Sequence, residues 1–151
     1  MTNRALIATL VLSAAGFAGI LTHEAYREKA YNDGGGVSTF GFGTTKGVKP
    51  GDKISVEQAL VRALSDVSKF EGALKKCVKV PLSQNEYDAY VSLAYNIGAT
   101  AFCTSTLVKK LNLLDYSGAC REISRWNKVG VEVSRGLKAR RAREYALCIK
   151  I

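Results

Sequence analysis

Residues 22–45 read THEAYREKAYNDGGGVSTFGFGTT, and the rest of the chain is best understood outward from them. Leu21, Ala25, Glu28 and Tyr31 fall at helical spacing, so a helix is expected over 22–32, although these four do not share one polarity. Asp33-Gly34-Gly35-Gly36 is a turn, and Val37 to Thr44 reads as β-structure. Glu24 stands in the helix-like part, Asp33 at the turn nine residues later, and Thr39 in the strand six beyond that. Two carboxylates held at different solvent exposure are what glycosidic cleavage requires, one protonated to donate to the leaving oxygen and the other ionised. A hydroxyl such as that of Thr39 suits the holding of a water in line for attack. On spacing alone, a Glu and an Asp are more often plain surface residues.

Downstream the pattern turns helical. Lys49-Pro50-Gly51-Asp52 is a turn, and Ser55 with Gln58 three residues on forms a capping box. Val56, Ala59, Leu60, Ala63, Leu64, Val67, Phe70 and Leu74 then trace one apolar stripe, which predicts a long helix over about 56–75. Pro81 breaks the chain. Ser83 with Glu86 is a second capping box opening a helix that Gly98 closes. Shorter helices are expected over 105–113, 116–126 and 136–147. The layout is one small β-element followed by helices, with no repeats and no linker.

Upstream, Arg4 precedes an uncharged run of 17 residues, Ala5 to Leu21. As a helix it spans about 25 Å against a bilayer core of about 30 Å. Five Ala, two Gly, Thr9 and Ser13 dilute its large apolar residues. The run reads either as a cleaved signal peptide or as an uncleaved, weak anchor with its basic end inside. A buried soluble helix fits less well, since the run is apolar on all sides.

The chain has 151 residues and a formal charge of +9, with 47% hydrophobic and 23% charged residues. This is the balance of a folded domain, and it excludes disorder and collagen-like or Pro-rich structure. The basic excess suits an acidic partner such as nucleic acid, anionic lipid or a wall polymer. Four cysteines in so short a chain point to disulfides and an oxidising compartment.

The segment 22–45 resembles the lysozyme family of tailed bacteriophages. Glu24, Asp33, Thr39 and Gly41-Phe42-Gly43 match its pattern in type and spacing. Further matches follow in order: Pro81-Leu82-Ser83-Gln84, Tyr87-Asp88-Ala89, Tyr95-Asn96-Ile97-Gly98, Ser105-Thr106-Leu107, Arg125-Trp126 and Gly136-Leu137 through Arg140-Arg141 to Glu144. The resemblance covers about residues 22–148. It implies an α+β, lysozyme-like fold. A small β-containing N-terminal lobe and a larger helical C-terminal lobe would be joined by the long helix, with the substrate cleft between them. The implied reaction is cleavage of the β-1,4 bond between N-acetylmuramic acid and N-acetylglucosamine in peptidoglycan. Carried over by position, Glu24 is the general acid, Asp33 the ionised carboxylate and Thr39 the water-holder, and the resemblance favours inversion. Thr44 stands where the family's founding member has a His, a position outside that catalytic set. His23 is read as structural.

Only Thr22 and His23 separate the apolar run from Glu24, so cleavage there would cut almost into the catalytic helix. This arrangement resembles the signal-anchor-release endolysins. It implies two parts, an anchor over 1–21 and a lysozyme domain over 22–151. The enzyme would be tethered inactive on the periplasmic side of the host inner membrane, then freed into the periplasm when a phage holin collapses the membrane potential. A monomer without cofactor is expected. Nucleic acid is not, since no reader motif accompanies the charge. Zinc is not expected either, since there is no C-x-x-C pair and His23 is far off in the chain. Cys77 and Cys103 bracket one helical hairpin, which favours Cys77–Cys103 with Cys120–Cys148. The basic clusters Lys75-Lys76, Lys109-Lys110 and Lys138 to Arg143 read as solvated faces that also attract an acidic wall. A lytic transglycosylase, a hydrolase of another β-1,4 glycan and a non-catalytic membrane-disrupting protein are the alternative readings.

Overall fold

The computed structural model describes residues 3–33 and 35–150. Its longest helix starts at the first capping box. Ser55 Oγ accepts the Gln58 N–H at 3.2 Å and the Gln58 side chain accepts the Ser55 N–H at 3.3 Å, satisfying two otherwise orphaned donors. The helix that follows, α2, runs Val56–Cys77, with Glu57 in its first turn and Lys75 and Lys76 in its last, each suited to the helix dipole. An earlier helix, α1, covers Ala14–Glu24. The chain forms two compact units. One is Ala18–Lys69, and the other is made of the residues up to Phe17 together with those from Phe70 on, so the division falls within α1 and within α2.

The unit Ala18–Lys69 holds an antiparallel hairpin of β1 (Arg27–Asn32) and β2 (Ser38–Gly41), with Tyr31 opposite Thr39 and Asn32 opposite Ser38. The helix expected over 22–32 is therefore corrected: α1 ends at Glu24 and a strand begins at Arg27. Ala25 lies in the left-handed region at φ +43°, which ends the helix. Beyond it, β2 pairs with one edge of β1, and Ala30 N–H donates to Asp52 O at 2.8 Å and Ile54 N–H to Glu28 O at 3.0 Å. Non-local pairing outweighs the weak local preference of a segment with no apolar stripe. Gly41 sits at φ +63°, and a Cβ there would lie 3.1 Å from the Ala59 Cβ, so glycine lets the hairpin approach α2 closely. Phe40, Phe42, Ile54, Ala59, Ala63 and Val67 are buried. Thr44, also buried, donates its hydroxyl to Asp66 Oδ2 at 2.8 Å.

The second unit is organised on α3, Gln84–Ile97, which starts at the Ser83–Glu86 capping box and stops at Gly98 (φ +94°), as the sequence indicates. Residues 86–94 of α3 are all buried, so this helix is enclosed rather than one-faced. Around it come α4 (Ala99–Cys103), α5 (Thr106–Asn112) and α6 (Tyr116–Glu122), then a 3-10 turn at Ile123–Arg125. A two-residue-per-strand hairpin, β3 (Lys128–Val129) and β4 (Glu132–Val133), leads to α7, Arg135–Cys148. The hairpin and α4 have no counterpart in the sequence expectation, and the helix expected over 116–126 is shorter. Arg140 and Arg141 are buried, contrary to a wholly solvated basic face. Their guanidinium Nε atoms lie 3.2 and 2.8 Å from the carboxylate of Glu144, which also accepts the Ser92 hydroxyl at 2.7 Å. Burying these charges is tolerable only because they are paired.

The apolar run Ala5 to Leu21 does not form one helix here. Ala5 exchanges backbone hydrogen bonds with Leu82 at 2.8 and 2.9 Å, Ile7–Thr9 makes a 3-10 turn, and α1 starts only at Ala14. Among the described residues no helix is long and apolar enough to cross a membrane. Both disulfides, Cys77–Cys103 and Cys120–Cys148, lie in the second unit with Cα–Cα distances of 5.6 and 5.8 Å, and the pairing is the one favoured from the sequence. Each closes a loop worth about 3.5 kcal/mol in the chain-entropy model. Replacing Cys120 and Cys148 together by Ser should therefore lower the unfolding free energy in urea by about 2–4 kcal/mol. The mass of unreduced peptides checks the pairing.

Candidate active site

The three carboxyl and hydroxyl residues singled out in the sequence all fall within the unit Ala18–Lys69. Glu24, half-buried, is the last residue of α1. Ala25 then turns the chain toward β1, and Tyr26 fastens the turn. Its hydroxyl donates to Ile54 O at 2.6 Å and its ring meets that of Phe42 at 5.6 Å between centroids. Desolvation, then the charges of Glu28 and Glu57, hold the Tyr26 phenol above its ordinary pKa, so it remains a donor at neutral pH. His23 stands in the last turn of α1, at the carbonyl end of the helix.

Asp33 is exposed in the loop between β1 and β2. That loop is closed by its own backbone and side chains. Asp33 N–H donates to Val37 O at 3.2 Å, while Asp33 Oδ1 accepts the N–H groups of Gly35 at 2.9 Å and Val37 at 3.3 Å. Asn32 Oδ1 accepts the N–H of Gly36 at 2.9 Å. One carboxylate oxygen is thus committed to an Asx-type turn. Thr39 is buried in β2, and its hydroxyl donates to Val37 O at 3.2 Å. A hydroxyl has one proton to give and two lone pairs, so Thr39 Oγ1 retains its capacity to accept.

The supports of the site, Tyr26, Asn32 and the Val37 backbone, were not marked in the sequence. The N-x-G-rich turn after Asn32 was the available signal for one of them, whereas the contact of Tyr26 with residue 54 has no local signature. Among the described residues no group of three or more His, Cys, Asp and Glu is placed to hold a metal ion.

Comparison with known proteins identifies the family. Residues 21–144 match the family model for phage lysozyme. The chain is 45% identical over 140 residues to an endolysin of Acyrthosiphon pisum secondary endosymbiont phage 1, covering 90% of this chain and 96% of that one. It is 38% identical over 141 residues to a SAR-endolysin of Pseudomonas phage phiKMV, covering 91% and 88%. Among solved structures, an endolysin from Escherichia coli O157:H7 phage FAHEc1 superposes with a TM-score of 0.85 at 41% identity, over 94% of this chain and 95% of that chain.

The loop geometry makes a prediction about Asp33. Asp33→Ala removes the acceptor for two amides and should speed hydrogen exchange at Gly35 and Val37 by about tenfold, the equivalent of one lost hydrogen bond. Asp33→Asn keeps an acceptor oxygen, and exchange at both amides should stay near the parent rate.

Proposed function

The chain belongs to the phage lysozyme family, and from that membership we propose that it cleaves the β-1,4 bond between N-acetylmuramic acid and N-acetylglucosamine, with Glu24, Asp33 and Thr39 carrying the reaction. The coarser statement rests on the family itself: this is a glycoside hydrolase of the lysozyme type, fitted for lysis of peptidoglycan. One observation supports the finer assignment above the others. A helix end, a self-closed turn and a strand of one compact unit carry an acid, a carboxylate and an accepting hydroxyl in the family's order. In this reading Glu24 protonates the leaving oxygen. Asp33 Oδ1 is occupied by backbone N–H groups, so Oδ2 is the oxygen assigned to the attacking water. That water gives one proton to Asp33 and is held through the other by Thr39 Oγ1, whose own proton is spent on Val37 O. This pairing of an acid with a base across a water is the inverting arrangement.

Glu24→Gln should lower kcat on purified peptidoglycan by about 10²–10⁴-fold, the usual worth of a general acid. Thr39→Val keeps the volume and removes the acceptor, and should lower kcat with KM little changed. Mass spectrometry of the products should show reducing muramic ends. Anhydro-muramic ends would overturn hydrolysis in favour of a transglycosylase, and a Glu24→Gln variant that still killed cells would favour a membrane disruptor.

The reading extends to residues 1–21 as a releasable anchor, tethered at the inner membrane and then freed to the periplasm. The name of the phiKMV relative and the diluted apolar composition of residues 5–21 support it. The same residues build the Leu82 bridge and α1 in the folded enzyme, so a chain with residues 5–21 in lipid lacks the helix that ends in Glu24. The two glycines of α1 differ as test positions. A Cβ at Gly16 would fall 2.8 Å from Asp88 Cγ, whereas Gly19 has nothing within 4 Å. Gly19→Leu should therefore strengthen the anchor by on the order of 1 kcal/mol and delay lysis, while the soluble enzyme keeps its activity. Lysis at the normal time would remove the weak-anchor reading.

A further inference from the structure

Asp88 lies on the enclosed helix α3 and is only 5% exposed, yet no part of the proposed chemistry uses it. Both of its oxygens are aimed at the start of α1. Oδ1 accepts the Ser13 N–H at 3.1 Å and Oδ2 accepts the Ser13 hydroxyl. Ser13 Oγ in turn accepts the N–H of Gly16 at 3.0 Å, so Ser13 is the N-cap of α1 and Asp88 holds the cap. The contact is close enough to dictate a neighbouring residue. A Cβ added at Gly16 would stand 2.8 Å from Asp88 Cγ and 2.8 Å from Leu12 Cδ1. Glycine is the poorest ordinary helix former, and here it is required by the approach of a carboxylate.

The residues leading into the cap are tied down in the same way. Gln84 Nε2 donates to Asp88 Oδ1 and to Val11 O, both at 2.8 Å. Glu71 Oε1 accepts the Leu12 N–H at 2.6 Å and the Tyr87 hydroxyl at 2.8 Å. Arg4 Nη2 donates to Glu86 Oε1 at 2.7 Å, with its guanidinium 3.5 Å from the centroid of the Tyr116 ring. Three carboxylates thus receive residues 4–13, and Asp88 receives the one that starts the helix. A carboxylate held in an enclosed site is costly unless its acceptor positions are filled, and Ser13 and Gln84 fill those of Asp88.

We propose that Asp88 is a positioning residue for the acid: through its double hydrogen bond to the Ser13 cap it sets where α1 begins, and with it the seat of Glu24, the last residue of the same helix. This rests on the reading of Glu24 as the general acid. Its chemical basis is that a helix without its cap unwinds from the first turn. A shift of about 1 Å in a catalytic group costs up to about 10² in rate. The effect falls on kcat, because the acid acts in bond cleavage rather than in holding the ground state.

The test uses the full-length chain in soluble form, with both disulfides intact and folding verified by circular dichroism at the assay temperature. Asp88→Ala and Gly16→Ala should each lower kcat on peptidoglycan about 10- to 100-fold with KM within about twofold. Gly16→Ala is the more telling of the two, because alanine raises helix propensity and a merely structural α1 would gain from it. Asp88→Asn, which keeps an acceptor for the Ser13 N–H, should recover most of the rate. Should Asp88→Ala fail to fold, Gly16→Ala probes the same contact. A full kcat in folded Gly16→Ala overturns the inference, as does a loss confined to KM. Glu24→Gln is measured alongside. If it stays active, the assignment of the acid fails. If it is inactive while Gly16→Ala and Asp88→Ala keep full kcat, only the role of Asp88 fails.

Discussion

Helix α1 is the element on which the rest depends, because it is eleven residues long, begins at a cap held by a carboxylate and ends in Glu24. A helix so short is not stable alone, and its position must come from what holds its ends. At the start this is Ser13 on Asp88, and at the finish it is the left-handed Ala25 followed by the Tyr26 hydroxyl on Ile54 O. Between them the sequence is built of Ala, Gly and a few large apolar residues, with Ile20 fully buried. Such a helix depends on what the protein supplies at its two ends.

Pairing also governs the distribution of acidic residues. The chain has 13 Asp and Glu against 22 Lys and Arg. Glu86, Asp88, Glu122 and Glu144 are buried, each facing basic side chains or hydrogen-bond donors. Acidic groups are thereby drawn inward, while Lys138 and Arg143 of α7 stay exposed. The outward face is more basic than a count of +9 suggests, which suits long-range attraction to an acidic wall. Arg140 and Arg141 are the exception on the basic side, since they are sunk beside Glu144 as part of the fold.

The unit built on α3 carries both disulfides, and the unit Ala18–Lys69 carries none. The stapled unit supplies the carboxylates that hold residues 4–13, while the other carries Glu24, the self-closed turn of Asp33 and the hydroxyl of Thr39. Both cross-links thus lie in the unit that holds residues 4–13. Asp33 and Thr39 stand on a hairpin held by one close approach, Gly41 on Ala59, and by the Thr44–Asp66 hydrogen bond.

Much of this was legible in the residues alone. Capping boxes at Ser55 and Ser83, the stop at Gly98 and the stripe from Val56 to Leu74 are local signals, because a cap or an apolar face is set by residues three or four apart. The family pattern of Glu24, Asp33, Thr39 and Gly41 to Gly43 is likewise a matter of short spacing. What the sequence could not decide was settled by groups far apart in the chain. Residues 27–32 became a strand because β2 and residues 52–54 satisfy their backbone, and the run from Ala5 to Leu21 broke because Leu82, Glu71 and Asp88 take its N–H groups. Arg140 and Arg141, which read as surface charge, were buried by Glu144 and Ser92. Local hydrogen bonds and periodicity are written in the sequence, whereas the choice among weak local preferences falls to whichever distant partner satisfies the backbone and the charge at the least desolvation cost.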